Sequence, residues 1–169
     1  MAIKNSVIAV DKEKRVHLKK RKAMNSQSKT SVNKATAVLF LRLILGLIFL
    51  MQGIGKVFMF GKDNVFSMLQ AETKGWFPEI IVHVTGFYTS YVELIAGLLL
   101  VIGLKVDYAL YTLASVLVIV CFGHGLVYTI WDLSHVIPRV ILLTAILLLP
   151  KEWDRFSIDH WMKKRANLN

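Results

Sequence analysis

The chain has one cysteine, Cys121, set inside an apolar run. A lone cysteine forms no internal disulfide, and no C-x-x-C pair or C-x-x-C-H haem-attachment motif occurs, so a thiol–disulfide relay within the chain is excluded. Cys121 reads as a small packing residue. Phosphate-cradling glycine loops are missing, as are H-E-x-x-H and G-x-S-x-G. No polar stretch is long enough for a soluble nucleotide-binding domain. Acidic residues are scarce, with 11 Asp and Glu against 21 Lys and Arg, a net charge of +10.

Apolar residues, in contrast, are abundant. They make up 55% of the chain, and mean hydropathy is +0.53. They come in long blocks, more than a soluble core of 169 residues can hide, so the expected surroundings are a lipid bilayer. The basic excess is uneven: residues 1–34 hold ten Lys and Arg against Asp11 and Glu13. Nucleic acid is not the expected partner, because that stretch has no interleaved aromatics and leads into an apolar span. Anionic lipid beside a membrane anchor accounts for it. The start does not read as a cleaved signal peptide, since the basic region is long and no small-x-small site follows the apolar run.

The pattern predicts an all-α membrane protein, an antiparallel bundle of four transmembrane helices. Residues 1–34 are expected as a flexible basic tail and 35–150 as the membrane domain. The helices are placed at about 36–60, 78–104, 108–130 and 134–150, each compared with the roughly twenty apolar residues a span requires. The first ends at Gly61–Asn64, and a loop follows through residue 77. In that loop Val65, Phe66, Met68 and Leu69 have partial helical spacing suited to the membrane surface. Pro78 is placed to open the second helix, and Pro150 closes the fourth. The short links at 105–107 and 132–134 make successive helices antiparallel neighbours. Residues 151–169 form an amphipathic tail whose Trp153, Phe156 and Trp161, with Lys163, Lys164 and Arg165, suit the headgroup region.

Basic residues also set orientation. The two tails hold ten and five Lys and Arg and the 105–107 link one, against two in 61–77 and none in 131–134. Both termini are therefore expected in the cytoplasm. No internal repeat stands out.

Ionisable residues inside a bilayer need a partner or a water-filled cavity, so each is a candidate. The first helix carries Arg42, Gln52 and Lys56. Positions 42, 49 and 56 are seven apart and share a face, with Gly46 and Gly53 on or near it to admit a neighbouring helix. Arg42 lies only about 10 Å from the helix start at 1.5 Å per residue, so snorkelling to the cytoplasmic boundary is the alternative. The second helix has a stripe of His83, Gly86, Ser90, Glu93 and Gly97. Glu93, near mid-membrane, reads either as a proton-carrying or ligand-binding carboxylate or as the structural partner of Arg42 or Lys56. His124 lies toward the outer end of the third helix, Asp132 in the following link, and His135 and Arg139 one turn apart on the fourth. Lys56, His83, His124, Asp132, His135 and Arg139 fall in the outer half, where a polar pocket could take a small anion or the head of a quinone. The histidines do not have metal-motif spacing, and hydrogen-bonded histidines without haem or zinc are expected.

The run LRLILGLIFLMQGIGKVF at 41–58 resembles the first helix of the DoxX family, through Arg42, Gly46, Phe49, Gly53 and Lys56. ELIAGLLLVIGL at 93–104 is similar to that family's second-helix signature, through Glu93, Gly97 and Gly103. His124 and Arg139 fit a polar residue in its third helix and an arginine in its fourth, so the resemblance covers about 36–150. It implies a four-helix protein of a bacterial inner membrane. The family includes the membrane subunit of a thiosulfate:quinone oxidoreductase but is functionally mixed. The resulting expectation is a subunit of a larger membrane complex with a quinone- or sulfur-linked redox role. No cofactor belongs to the chain itself, and a bound quinone is the candidate ligand. The alternatives are a non-catalytic accessory or assembly subunit and a small-solute transporter.

Overall fold

A computed structural model describes residues 2–73, 75–127 and 134–166. Every regular element among them is helical: α1 Ala2–Ile54, a π-helical turn Gly55–Phe60, α2 Gly61–Thr73, α3 Glu79–Ile102, α4 Val106–Val127, α5 Val136–Leu148, a 3₁₀ turn Lys151–Trp153 and α6 Ile158–Ala166. The chain divides into two compact units, Met1–Ala37 and Val38–Asn169.

The first unit is helical from Ala2, where a flexible tail was expected. No glycine or proline precedes Gly46, and the stretch is rich in Lys, Ala, Met and Leu, which carry little helix penalty. Side chains described at 17–19 and 26–30 are solvent-exposed.

In the second unit a core joins four helices. Leu45 and Phe49 of α1 meet Ala96 and Leu100 of α3, then Leu110, Leu113 and Leu117 of α4 and Leu143 and Ile146 of α5. The opposite faces are apolar too: Ile44, Leu47, Ile95, Leu98, Val118, Phe122, Ile137 and Ile141 are all exposed. Helices apolar all round need a nonpolar surrounding on the side the protein does not cover. Ser26–Phe60, Glu79–Ile102 and Val106–Leu126 are long and apolar enough to cross a membrane. The expectation of four spans is met for these three. The fourth apolar helix, α5, has 13 residues, about 20 Å at 1.5 Å per residue against a hydrocarbon core of about 30 Å.

Glycine sets the α1–α3 approach. A Cβ on Gly53 would stand 2.5 Å from the Leu94 Cα, and one on Gly97 would stand 2.8 Å from the Leu50 Cα and 3.0 Å from the Gly46 carbonyl oxygen. Only hydrogens fit between these backbones, which is how small residues bring membrane helices together. Helix α3 ends in a Schellman motif. Gly103, at φ +73°, donates its N–H to Leu100, and Leu104 donates to Leu99 at 2.9 Å.

Residues 61–73 are a helix rather than the expected loop. Val65 and Leu69 are one turn apart. Val65 is buried, and the Leu69 side chain lies so close to Gly86 of α3 that a Cβ there would meet it at 2.9 Å. Tertiary burial of this short apolar edge makes a helix of a segment whose local signal is weak.

The C-terminal residues pack against the protein. Asp159 accepts N–H donation from Lys105 at 2.9 Å and Val106 at 3.0 Å, capping the start of α4, and its own N–H donates to the Gly103 carbonyl at 3.0 Å. Ser157 is buried beside them.

Candidate functional site

Arg42 of α1 and Lys56 of the π turn that follows it find different partners. Arg42 is 1% exposed. Its Nη1 donates to both carboxylate oxygens of Asp154, at 2.7 and 2.8 Å, and its Nη2 donates to the Phe156 carbonyl at 3.0 Å. A Cβ on Gly103 would stand 2.5 Å from that Nη1, so the guanidinium lies flat under the glycine at the end of α3. Arg42 therefore pairs with Asp154 and not with Glu93. Its partner, Asp154, carried no signal in the helical pattern. The clue available was that Arg42 and the acidic residue just past Pro150 both belong to the ends rich in basic residues.

Four turns along α1, Lys56 sits in the wide π turn. Such turns recur at functional sites because they break the regular ladder. Lys56 Nζ donates to Glu93 Oε1 at 2.9 Å and lies 2.7 Å from Oε2. Only Oε1 accepts a directed hydrogen bond; Oε2 is buried without one. Oε2 is engaged instead by direct ion pairing with the same ammonium. The Glu93 side chain is 4% exposed and that of Lys56 24%. The pair is reachable from the Lys56 side alone.

That side opens into a cleft of about 490 Å³ lined by Lys56, Phe66, His83, Phe87, Tyr88 and Tyr91, among others. Helix α2 forms one wall. Its Phe66 stacks on the His83 ring with centroids 3.5 Å apart and planes 5° from parallel. His83 Nε2 is 3.8 Å from the Glu79 carboxylate one turn before it. The rest of the α3 stripe faces inward: Gly86, Ser90, Glu93 and Gly97 are buried, and Ser90 Oγ donates to the Gly86 carbonyl at 2.6 Å. Tyr88 shares a 2.7 Å hydrogen bond with Ser115 of α4.

Arg139 of α5 is half-buried, with its guanidinium 5.8 Å from the centre of the Phe49 ring. Lys56 and Glu93 pair directly, and His83 joins Lys56 at the cleft. The other expected residues stand apart. Gln52 has a buried Oε1 with no hydrogen-bond partner. His124 Nδ1 lies 3.1 Å from the Val120 carbonyl of its own helix. His135 is exposed at the N-cap of α5. Neither histidine hydrogen-bonds to Lys56 or Glu93. Asp132 lies outside the described residues, as does the expected end of the third helix at 128–130. Among the described residues no group of three His, Cys, Asp or Glu side chains could hold a metal ion.

Chemically, the cleft offers an ammonium paired with a buried carboxylate, and an imidazole, against aromatic walls. Such a cleft suits a flat ring bearing polar substituents. No curated protein and no solved structure matched the chain. The DoxX family model matches residues 37–125. That segment carries residues 37–54 of α1, all of α2 and α3 and most of α4, with Arg42, Lys56, His83, Glu93 and His124, whereas Arg139 and the C-terminal residues lie beyond it. A match over more than half of the 169 residues, on apolar helices held by a buried lysine–glutamate pair, makes the chain a member of the DoxX family.

Proposed function

We propose that this DoxX-family membrane protein is a subunit of a larger membrane redox complex and that its cleft binds the ring head of a quinone. Lys56 donates to a ring carbonyl oxygen, and Glu93 holds or delivers the proton that accompanies ring reduction. Arg139 adds positive charge behind Glu93, and Phe66, Phe87 and Tyr91 cover the ring faces. The proposal includes a bacterial inner membrane as the location, four helices as the bundle and a cytoplasmic position for both termini, in keeping with the basic residues gathered in the tails. The observation that carries it is the Lys56 ammonium, paired with the buried Glu93 and lining an aromatic-walled cleft.

The test is purification of the full chain in native lipid nanodiscs, with bound quinone extracted and quantified and partner proteins identified by mass spectrometry. The chain is expected to retain quinone at near one per copy. Glu93→Gln should lower retention about tenfold, the order expected for loss of one charge-assisted hydrogen bond, while partner recovery stays unchanged. Partners without quinone in either sample would sink the redox reading and leave the accessory-subunit reading. The closed Arg42–Asp154 clamp, which has a structural geometry and no cavity of comparable size, favours that second reading on its own terms.

A further inference from the structure

Helix α6 shows two faces of different character. Ser157, just before it, is buried, and Asp159 is tied to the backbone at the start of α4. On the other side Ile158, Trp161 and Met162 are exposed at spacings of three and four, with Phe156 exposed just before the helix. The Arg165 guanidinium lies 3.9 Å from the Trp161 ring centre, which puts a cation on the apolar stripe. Lys163 and Lys164 are exposed alongside, so the last turns of α6 present three consecutive cations and no acidic residue. Asp159 also fixes where this surface stands. Its carboxylate caps the first turn of α4, a membrane-length apolar helix, so α6 is held at one end of that span, where hydrocarbon meets water.

We propose that α6 is a docking surface for anionic phospholipid headgroups at that end of the membrane domain. Trp161, Met162 and Phe156 enter the boundary between headgroups and acyl chains, and Lys163, Lys164 and Arg165 take the phosphates. An amphipathic helix lying in the interface has this composition, an apolar stripe with Trp and basic residues beside it. Charge complementarity selects the occupant, because each basic residue near an anionic leaflet favours it by roughly fivefold. A zwitterionic lipid fills the apolar stripe equally well but leaves the three cations without a net opposite charge. The site lies outside the family-matched segment and does not depend on the quinone reading.

The experiment reads the lipid at the site, so the basic residues of 1–34 do not contribute. Met162→benzoylphenylalanine is introduced into the full chain, reconstituted in nanodiscs of equal phosphatidylglycerol and phosphatidylcholine, and irradiated. Cross-linked lipid is then identified by mass spectrometry. Phosphatidylglycerol adducts are expected to exceed phosphatidylcholine adducts by fivefold or more. Lys163→Gln, Lys164→Gln and Arg165→Gln together should bring the ratio near one, with thermal unfolding in phosphatidylcholine unchanged. Equal adducts with the charges intact would overturn the proposal. So would cross-linking in native membranes to an acidic protein segment instead of lipid. If the triple variant unfolds early, Lys164→Gln alone, exposed and without a partner that holds the fold, should still lower the ratio severalfold, and an unchanged ratio there would also overturn it.

Discussion

Arg42–Asp154 and Lys56–Glu93 are both ion pairs made by a basic residue of α1 or of the π turn that continues it with an acid far along the chain, yet they are finished differently. Around Arg42 the guanidinium is enclosed, held by a carboxylate and a carbonyl, and covered by Gly103. Around Lys56 the acid is buried, but the ammonium faces a cleft and one carboxylate oxygen lacks a hydrogen bond. Desolvating two charges is costly, and a fully hydrogen-bonded, closed geometry is what offsets that cost. Arg42 Nε is buried without a hydrogen bond, but Nη1 and Nη2 are both partnered, so the first pair comes nearer that condition, and it joins the C-terminal residues to α1. The second is less enclosed, because its ammonium lines a cleft.

This contrast predicts effects of unequal size. The largest should follow Asp154→Ala, which strands a buried guanidinium. Breaking a buried pair from one side costs about 3–5 kcal/mol, and unfolding in a detergent titration should show a loss of that order. A loss under about 1 kcal/mol would put Arg42 in contact with water and erase the contrast.

Next comes Gly97→Val, which forces α1 from α3 at the Leu50 backbone. Overpacking costs about 1–3 kcal/mol, and because Lys56 and Glu93 sit on those two helices, quinone retention should fall with stability. Retention that survives the same destabilisation would separate the cleft from the helix interface.

Smaller still is Glu93→Gln. Lys56 remains partly exposed, so its charge is solvated when its partner is neutralised, and the stability change should stay near 1 kcal/mol in the same titration, as for one ordinary hydrogen bond. A cost equal to that of Asp154→Ala would make Glu93 a structural residue and argue against the quinone site.

The smallest effect belongs to the exposed Lys151–Asp107 pair. The hydrogen bond to Asp107, and then its negative charge, raise the Lys151 pKa above its ordinary 10.5. A raised folded-state value means that any stabilisation is present below the unfolded pKa and is lost as pH rises through the folded one, above about 10.5. Both side chains are exposed, so water screens the pair, and Lys151→Ala should leave unfolding at neutral pH unchanged within error. A clear loss at pH 7 would mean that this pair belongs with the buried clamp.

Much of this was legible in sequence because it follows from local rules. The long apolar blocks required a bilayer, and Gly46, Gly53 and Gly97 at close helical spacing marked the contacting faces of α1 and α3. Gly86, Ser90, Glu93 and Gly97 were readable as one inward stripe. Glu93 was narrowed to two partners, Arg42 and Lys56, because both share a face of α1. Pattern could not choose between them, since the choice depends on how α3 slides along α1. The helix in residues 61–73 was legible only as partial spacing, because its burial requires Gly86 across the gap.

Sequence by itself determined the membrane setting, the three long spans and the residues whose charge would be awkward there, because hydropathy and helical period are properties of short windows. Only the tertiary structure decided which acid meets which base, that Asp154 and Asp159 bring the C-terminal residues back onto α1 and α4, and that Lys56 opens to a cleft while His124 turns to its own helix. The pairings join residues 37, 53 and 112 positions apart. No local energy term encodes such pairings; they are set when apolar faces and glycine contacts fix how the helices stand against one another.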